Sequence, residues 1–273
     1  MPLAGSLESL LLRGLLAGLI AGLLTGAVAF ALGEPHVAAA IAIEESAPAA
    51  DAAGSHEHAA GTAAHSHDDD ALVSRDGQRA GLFLATALAG IAIGAIFGVV
   101  AHYARRFTTL PGPLLAIGLA GAGWLAVEAV PFFKYPANPP AVGDPDTINQ
   151  RTWLWLAALA LGLLAVCSAV FIAKALASQR YWTVRVGVSV LTFLVIVTVG
   201  YLLLPAVNEV GEDFPAALLW EFRISSLATQ ATLWLCLGLA FAFLTERAQR
   251  TPRSEPIAPG DVHTRAATRT TRP

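Results

Sequence analysis

Charged residues and cysteine are scarce in this chain, and each shortage excludes some classes of protein. Lys, Arg, Asp and Glu make up 14% of the 273 residues, whereas soluble domains carry about 25%. Cys167 and Cys236 are the only cysteines, and each stands alone in an apolar run. Because no Cys-x-x-Cys pair exists, we expect neither a redox motif nor a disulfide framework.

The sequence motifs of common enzymes are also missing. No GxxxxGK[ST] loop is present, so nucleotide hydrolysis is not expected. HExxH and GxSxG are absent as well, and we expect no catalytic residues and no enzyme activity. The formal net charge of -3 gives no reason to expect nucleic-acid binding.

Long apolar runs dominate what is present. Hydrophobic residues account for 55% of the chain, and the mean hydropathy is +0.60. A helix needs about 20 mostly apolar residues to cross a bilayer. The sequence therefore predicts an all-α, polytopic integral membrane protein with six transmembrane helices in the lipid bilayer; five is the alternative. The predicted spans are Leu10–Leu32, Gly81–His102, Pro113–Val130, Trp153–Ala177, Val184–Leu204 and Leu218–Leu244. The first span is expected to stay uncleaved, since its apolar run is longer than that of a signal peptide.

The basic residues are unevenly divided between the two sides of this six-span arrangement. Cytoplasmic loops carry an excess of Lys and Arg, which predicts cytoplasmic termini for a multi-pass protein of the cell membrane. One side holds Arg13, Arg105, Arg106, Lys174, Arg180, Arg185, Arg247, Arg250 and Arg253; the other holds Arg75, Arg79, Lys134, Arg151 and Arg223.

The chain is expected to form one transmembrane domain over residues 1–250, followed by a disordered cytoplasmic tail over 251–273. Three outer loops are predicted, and two of them have a distinctive composition: a His/Asp-rich loop over 34–79 and a proline-rich loop over 131–151. Because proline removes a backbone donor, we expect Pro35, Pro131 and Pro205 to close the first, third and fifth spans.

Arginines open the second, fourth and sixth spans at equal intervals. Arg79, Arg151 and Arg223 are 72 residues apart. This spacing raises the hypothesis of three helical hairpins related by an internal repeat, an arrangement typical of transporters.

Glycine recurs every fourth residue along the first two spans. Glycine at this spacing forms a smooth stripe against which another helix can pack closely. We expect a tight helix–helix contact, within the chain or with a partner subunit. The glycines are Gly14, Gly18, Gly22 and Gly26 in the first span and Gly90, Gly94 and Gly98 in the second.

The first outer loop contains the segment GSHEHAAGTAAHSHDDD over residues 54–70. Imidazole and carboxylate groups together suit Co²⁺, Ni²⁺ and Zn²⁺, and the flexible Ala, Gly and Ser residues around them favour loose capture over a permanently bound metal. The alternative is a solvated acidic loop in which histidine has no role. The candidate ligands are His56, His58, His65, His67, Asp68, Asp69 and Asp70.

Acidic residues inside or near the membrane are functional candidates because burying a charge there is costly. Glu128 lies in the third span, and Asp144 and Asp146 lie in the proline-rich loop. We predict that these three form an ion entrance. Glu221 and Arg223, near the start of the sixth span, are predicted to form a structural ion pair.

Four stretches of residues 10–250 resemble the CbtA family, the proposed membrane subunit of cobalt transporters. The resemblance implies cobalt uptake linked to cobalamin synthesis, and a small membrane partner of the CbtB type. The stretches are RGLLAG from Arg13, the His/Asp-rich loop before Arg79, VPFFKYPANPPAVG over residues 130–143 followed by Arg151-Thr152, and FRISS from Phe222.

Two functions of different classes follow from these features. The first is a membrane subunit of a divalent-cation transporter, with cobalt as the expected ion. The second is a membrane scaffold that docks a partner and senses or buffers metal without conducting it. The sequence leaves open the metal, the direction and energy source of transport, the conducting path, and whether the chain forms a homo-oligomer.

Overall fold

A computed structural model describes residues 3–46, 74–140, 142–143 and 145–250. The described residues fold into helices and connecting turns, without a strand among them. The seven candidate metal ligands of the His/Asp-rich loop, Asp144 and the C-terminal tail lie outside the described residues. The α-helices are α1 (Leu7–Val28), α2 (Glu34–Ser46), α3 (Arg75–Ala104), α4 (Gly112–Gly123), α5 (Val130–Lys134), α6 (Ile148–Ala175), α7 (Trp182–Leu203) and α8 (Ala216–Arg250).

Six continuous helical stretches are long and apolar enough to cross a membrane, which confirms the six-span prediction. Each extends beyond its apolar run at one or both ends, because polar residues continue the helix where no breaker follows. The six stretches are Leu7–Ser46, Arg75–Phe107, Gly112–Lys134, Ile148–Ala175, Trp182–Leu203 and Ala216–Arg250.

Two of the three prolines expected to end a span instead lie inside one. A π-helical segment, Ala29–Gly33, joins α1 to α2 just before Pro35, and a second, Trp124–Ala129, joins α4 to α5 just before Pro131. A proline ring clashes with the carbonyl four residues earlier in an α-helix. In both cases that carbonyl belongs to the widened π turn, so the helix continues. Pro205 does follow the end of its span.

The predicted His/Asp-rich and proline-rich outer loops are both shorter in the structure. Residues 34–46 form α2 and residue 75 already opens α3, while α5 runs to Lys134 and α6 begins at Ile148. Polar residues such as Glu34 stay helical because α2 packs against α8.

The spans do not pack as three sequential hairpins. α1 packs between α3 and α8, α8 packs on α4, and α6 packs along α7 and against the π segment Trp124–Ala129. α7 and α8 are consecutive but do not run along one another. The third predicted hairpin is therefore wrong, because residues 204–215 carry the chain away from α7 to the groove between α1 and α4.

The glycines of α1 face those of α3. A Cβ built on Gly14 would lie 2.1 Å from the carbonyl oxygen of Gly94, and one on Gly18 would lie 2.1 Å from that of Gly90. These distances leave no room for any side chain, so the two backbones are in direct contact. The stripe therefore packs within the chain.

The core lies toward the end of the bundle where the described chain begins. Phe97 of α3 and Phe241 of α8 meet edge to face at 5.1 Å, and Leu10 and Leu237 are fully buried beside them. At this end Gly112 lies against Leu3 and against Thr245 of α8. The first and last described residues thus lie at one face of the bundle, as an even number of spans requires.

Candidate functional site

The opposite end of the bundle, called here the proline-rich end, consists of residues 134–140, 142–143, 145–147 and 204–215 and the first turns of α8. It contains a cavity of about 410 Å³ between the third, fourth and sixth spans. The polar side chains around this cavity include Glu128, Asn138, Arg151, Glu209, Arg223, Ser226 and Gln230.

Glu128 reaches this cavity from the π segment of the third span. It is half-buried and accepts a long hydrogen bond, 3.4 Å, from Nε1 of Trp234 in α8. Trp234 can approach because Gly123 carries no side chain; a Cβ there would lie 2.1 Å from the indole ring. Gly162 of α6 likewise receives the carbonyl of Ala126 at 2.1 Å from its Cβ position. Two close helix contacts therefore fix the π segment that carries the carboxylate.

Arg223 contacts the proline-rich end rather than an acid. Its Nη2 donates to Oδ1 of Asn138 at 2.9 Å, and its Nε donates to the carbonyl of Ala137 at 3.3 Å. Glu221 instead faces His36 of α2, with 3.4 Å between Oε2 and Nε2. The predicted Glu221–Arg223 pair does not form, because residues two apart on a helix point to different sides.

An ion pair joins the fourth span to the loop after the fifth. Arg151 Nη1 lies 2.8 Å from Oε2 of Glu209, and Thr147 donates from Oγ1 to Oε1 of the same carboxylate at 2.5 Å. The Glu209 side chain is only 11% exposed, so its charge depends on these partners. Both Arg151 and Glu209 line the cavity.

Tyr135 and Lys134 hold the end of α5 against the fifth span. The Tyr135 hydroxyl donates to the carbonyl of Pro205 at 2.8 Å, and Lys134 Nζ donates to the carbonyl of Tyr201 at 2.9 Å. Partial burial raises the pKa of Tyr135 above its ordinary value, which keeps the hydroxyl protonated as a donor. These bonds join the end of the third span to the end of the fifth.

A neighbouring cavity of about 360 Å³ lies on the other side of α8. Glu34 lines it and holds two arginines, with Oε1 at 3.0 Å from Arg79 Nε and at 3.0 Å from Arg75 Nη2. Ser226 and Gln230 line both cavities. A thin wall of two α8 side chains therefore separates the second cavity from the one that contains Glu128.

Among the residues that the structure describes, no three His, Cys, Asp or Glu side chains come together as ligands for one metal ion. Asp146 is exposed and does not line the cavity of Glu128. Of the predicted entrance, the structure thus brings only Glu128 to the cavity, and Asp144 lies outside the described residues.

Several residues at or beside the cavity were not singled out by the sequence analysis. Ser226, Gln230 and Trp234 follow Arg223 at intervals of three or four residues along α8, and this polar stripe at helical spacing could have identified them. No comparable pattern in the sequence indicated Glu209, Asn138 or His36, because the residues that they contact are distant along the chain.

The fold and this site define a class: a six-span helical membrane protein with a polar cavity at one end of the bundle and a carboxylate within its wall. The chain belongs to the CbtA family, described as probable cobalt transporter subunit, which matches residues 7–246. Membership of a subunit family implies a partner and a membrane setting, and the described role is transport rather than catalysis. Searches of curated proteins and of solved structures found no match.

Proposed function

We propose that this chain is the membrane subunit through which a cobalt transporter admits Co²⁺, with the proline-rich end facing outward. The observation that carries the proposal is the cavity of about 410 Å³ with Glu128 in its wall. Carboxylates within transmembrane segments mark ion pathways by default. Here the carboxylate adjoins a solvent-sized space rather than a packed core.

The other polar groups of the cavity suit the passage of a hydrated cation. Gln230, Ser226 and Asn138 offer neutral oxygens that can replace water molecules, and Arg151 is balanced by Glu209. Arg223 also lines the cavity, and its positive charge opposes a cation there. Hydrogen bonds to Asn138 and to the Ala137 carbonyl hold its guanidinium at the proline-rich end.

Capture precedes passage in this proposal. His56, His58, His65, His67 and Asp68–Asp70 gather Co²⁺ outside the membrane, with Ni²⁺ and Zn²⁺ as competitors of the same ligand preference. A small CbtB-type membrane protein is the companion subunit. Inward movement draws on the membrane potential, negative inside, which is worth about 2.3 kcal/mol per charge per 100 mV.

The test is uptake of radiolabelled cobalt into cells that express the chain with and without a CbtB-type partner. Glu128→Gln removes the charge and retains an acceptor for Trp234. We expect it to abolish most uptake. Glu246→Gln, an equally conservative change on the exposed end of α8 away from both cavities, is the matched control and should leave uptake unchanged.

A quadruple His-to-Ala variant of the loop tests capture separately. We expect it to lower uptake at limiting cobalt and to have little effect at high cobalt. Uptake that is indifferent to Glu128→Gln contradicts the conducting pathway. If the purified chain then still binds cobalt, the scaffold-and-sensor function takes its place.

A further inference from the structure

His36 and Glu221 bring an imidazole and a carboxylate together between α2 and α8. Nε2 of His36 lies 3.4 Å from Oε2 of Glu221. We propose that this pair is a binding site for a divalent first-row transition-metal ion, separate from the His/Asp-rich loop and from the cavity of Glu128.

The separation of the two ligand atoms fits one ion bound between them. Metal–nitrogen and metal–oxygen bonds of this class are about 2.0–2.2 Å, and at a tetrahedral angle such bonds place the two ligand atoms about 3.4 Å apart. One imidazole and one carboxylate are the ligand types that Co²⁺, Ni²⁺ and Zn²⁺ accept. An ion could therefore enter with little movement of either side chain.

Both side chains of the pair are accessible from outside the protein. The Glu221 side chain is 60% exposed and that of His36 is 24% exposed. Nδ1 of His36 is enclosed and has no hydrogen-bond partner among the described residues. Since Nδ1 is shielded from water, Nε2 is the nitrogen that an ion from solvent can reach.

A space of about 260 Å³ adjoins the pair and leaves room for water ligands. His36 and Glu221 line it, together with Trp220 and Ser225 of α8. Two protein ligands leave the other coordination positions to water, so the site releases its ion more readily than a closed structural site does. Such a site suits an ion in transit.

The position of the site connects the loop to the cavity. α2 carries His36 and runs to Ser46, beyond which the His/Asp-rich segment follows in the sequence. Ser225 lines both the space beside His36 and the cavity of Glu34. Ser226 and Gln230 then separate that cavity from the one beside Glu128. Three spaces thus follow one another around α8.

The site adds an ion-binding position to the proposed function. It rests on that function only for the choice of cobalt as the ion. Binding is therefore measured apart from transport. The full-length chain carrying the quadruple His-to-Ala change in its loop is purified in detergent and titrated with Co²⁺. We expect one remaining equivalent, visible in the ligand-field absorption of the ion.

His36→Ala and Glu221→Gln are each introduced into this background. We expect each to weaken the remaining cobalt affinity by at least about tenfold, the lower end of the loss seen when a group supporting a metal site is removed. His102→Ala is the matched control, because that imidazole lies between Arg105 and Arg106. It should leave the affinity unchanged.

His36→Cys distinguishes a ligand from a structural residue. A thiolate bound to Co²⁺ adds a charge-transfer band in the near ultraviolet, and the parent chain with Cys167 and Cys236 should show none. Unchanged cobalt affinity in His36→Ala, or no such band in His36→Cys, overturns the site. Transport that persists without this binding would leave the proposed function standing, whereas intact binding with no transport would refute the proposed function alone.

Discussion

Two parts of the bundle are held together by opposite means. Along α1 and α3 the glycines let the two backbones touch, and a Cβ on Gly94 would lie 2.1 Å from the carbonyl of Gly14. At the proline-rich end, cavities of about 410 and 360 Å³ separate the spans, and polar side chains join them. The α1–α3 region is close-packed, whereas the proline-rich end contains cavities.

Because of this difference, the two regions have different roles in the molecule. A backbone-to-backbone contact has one arrangement, because any shift along the helices brings the glycines out of register. Polar contacts such as Arg223 with Asn138 can exchange partners with an ion or with water. The close-packed helices α1 and α3 fix the arrangement of the bundle, and the cavities at the proline-rich end can bind an ion or water.

The largest expected effect is in the close-packed region. Gly94→Ala forces a methyl group against backbone that cannot move aside, and we expect it to lower the free energy of unfolding by about 3 kcal/mol, the upper end for overpacking. Gly81→Ala in the same helix is the control, since nothing lies within 4 Å of its Cβ position. The free energy of unfolding of both variants is measured in mixed micelles. Equal stability of the two variants would show that the α1–α3 contact is not close-packed.

The next effect is at the proline-rich end. Arg151→Ala leaves the enclosed Glu209 carboxylate without its 2.8 Å partner, and we expect a loss of about 2 kcal/mol, typical of a hydrogen bond to a charged group. Glu209→Gln added to it removes the unpaired charge and should restore part of the loss. The same micelle unfolding assay applies. A double variant that is no more stable than Arg151→Ala would contradict a structural role for the pair.

A smaller effect depends on pH. Tyr135→Phe removes the bond to the Pro205 carbonyl, worth about 1 kcal/mol. Burial raises the pKa of Tyr135 above 10.0 in the folded chain, so its contribution is complete below pH 10 and is lost as pH rises through that higher pKa. The stability difference between wild type and variant should therefore be largest near neutral pH and shrink under alkaline conditions. A difference that stays constant up to high pH would contradict this.

The smallest effect concerns an exposed pair near the same end. Asp76 lies 3.4 Å from Arg79 and its side chain is 93% exposed. Asp76→Asn should change stability by less than about 0.5 kcal/mol, because water and salt screen such pairs. Glu34→Gln, which removes the enclosed partner of Arg79, should cost clearly more in the same assay. Equal losses would show that burial does not decide the strength of these contacts.

Much of the fold was readable from the sequence, because hydropathy is a local property. Six apolar runs gave six spans, and the strict four-residue spacing of Gly14, Gly18 and Gly22 marked a face that does pack closely. The helix ends were less accurate, since Pro35 and Pro131 usually end a helix. Here the π segments before them allow it to continue.

The candidate site was only partly readable. Glu128 stood out because a carboxylate in an apolar run is rare, and the structure brings it to a cavity. Nothing in the sequence indicated that Arg223 would contact Asn138 or that Glu209 would hold Arg151. These partners are far apart along the chain, and only the order in which the spans pack brings them together.

By itself, the sequence determined that this chain is a multi-pass helical membrane protein, with six spans favoured over five, and which family's pattern it carries. Those properties depend on composition, periodicity and short motifs, which local chemistry sets. Only the tertiary structure decided that α8 lies between α1 and α4, and hence that Glu221 faces His36. In lipid, apolar faces do not distinguish one neighbour from another, so close glycine contacts and polar side chains select the partners.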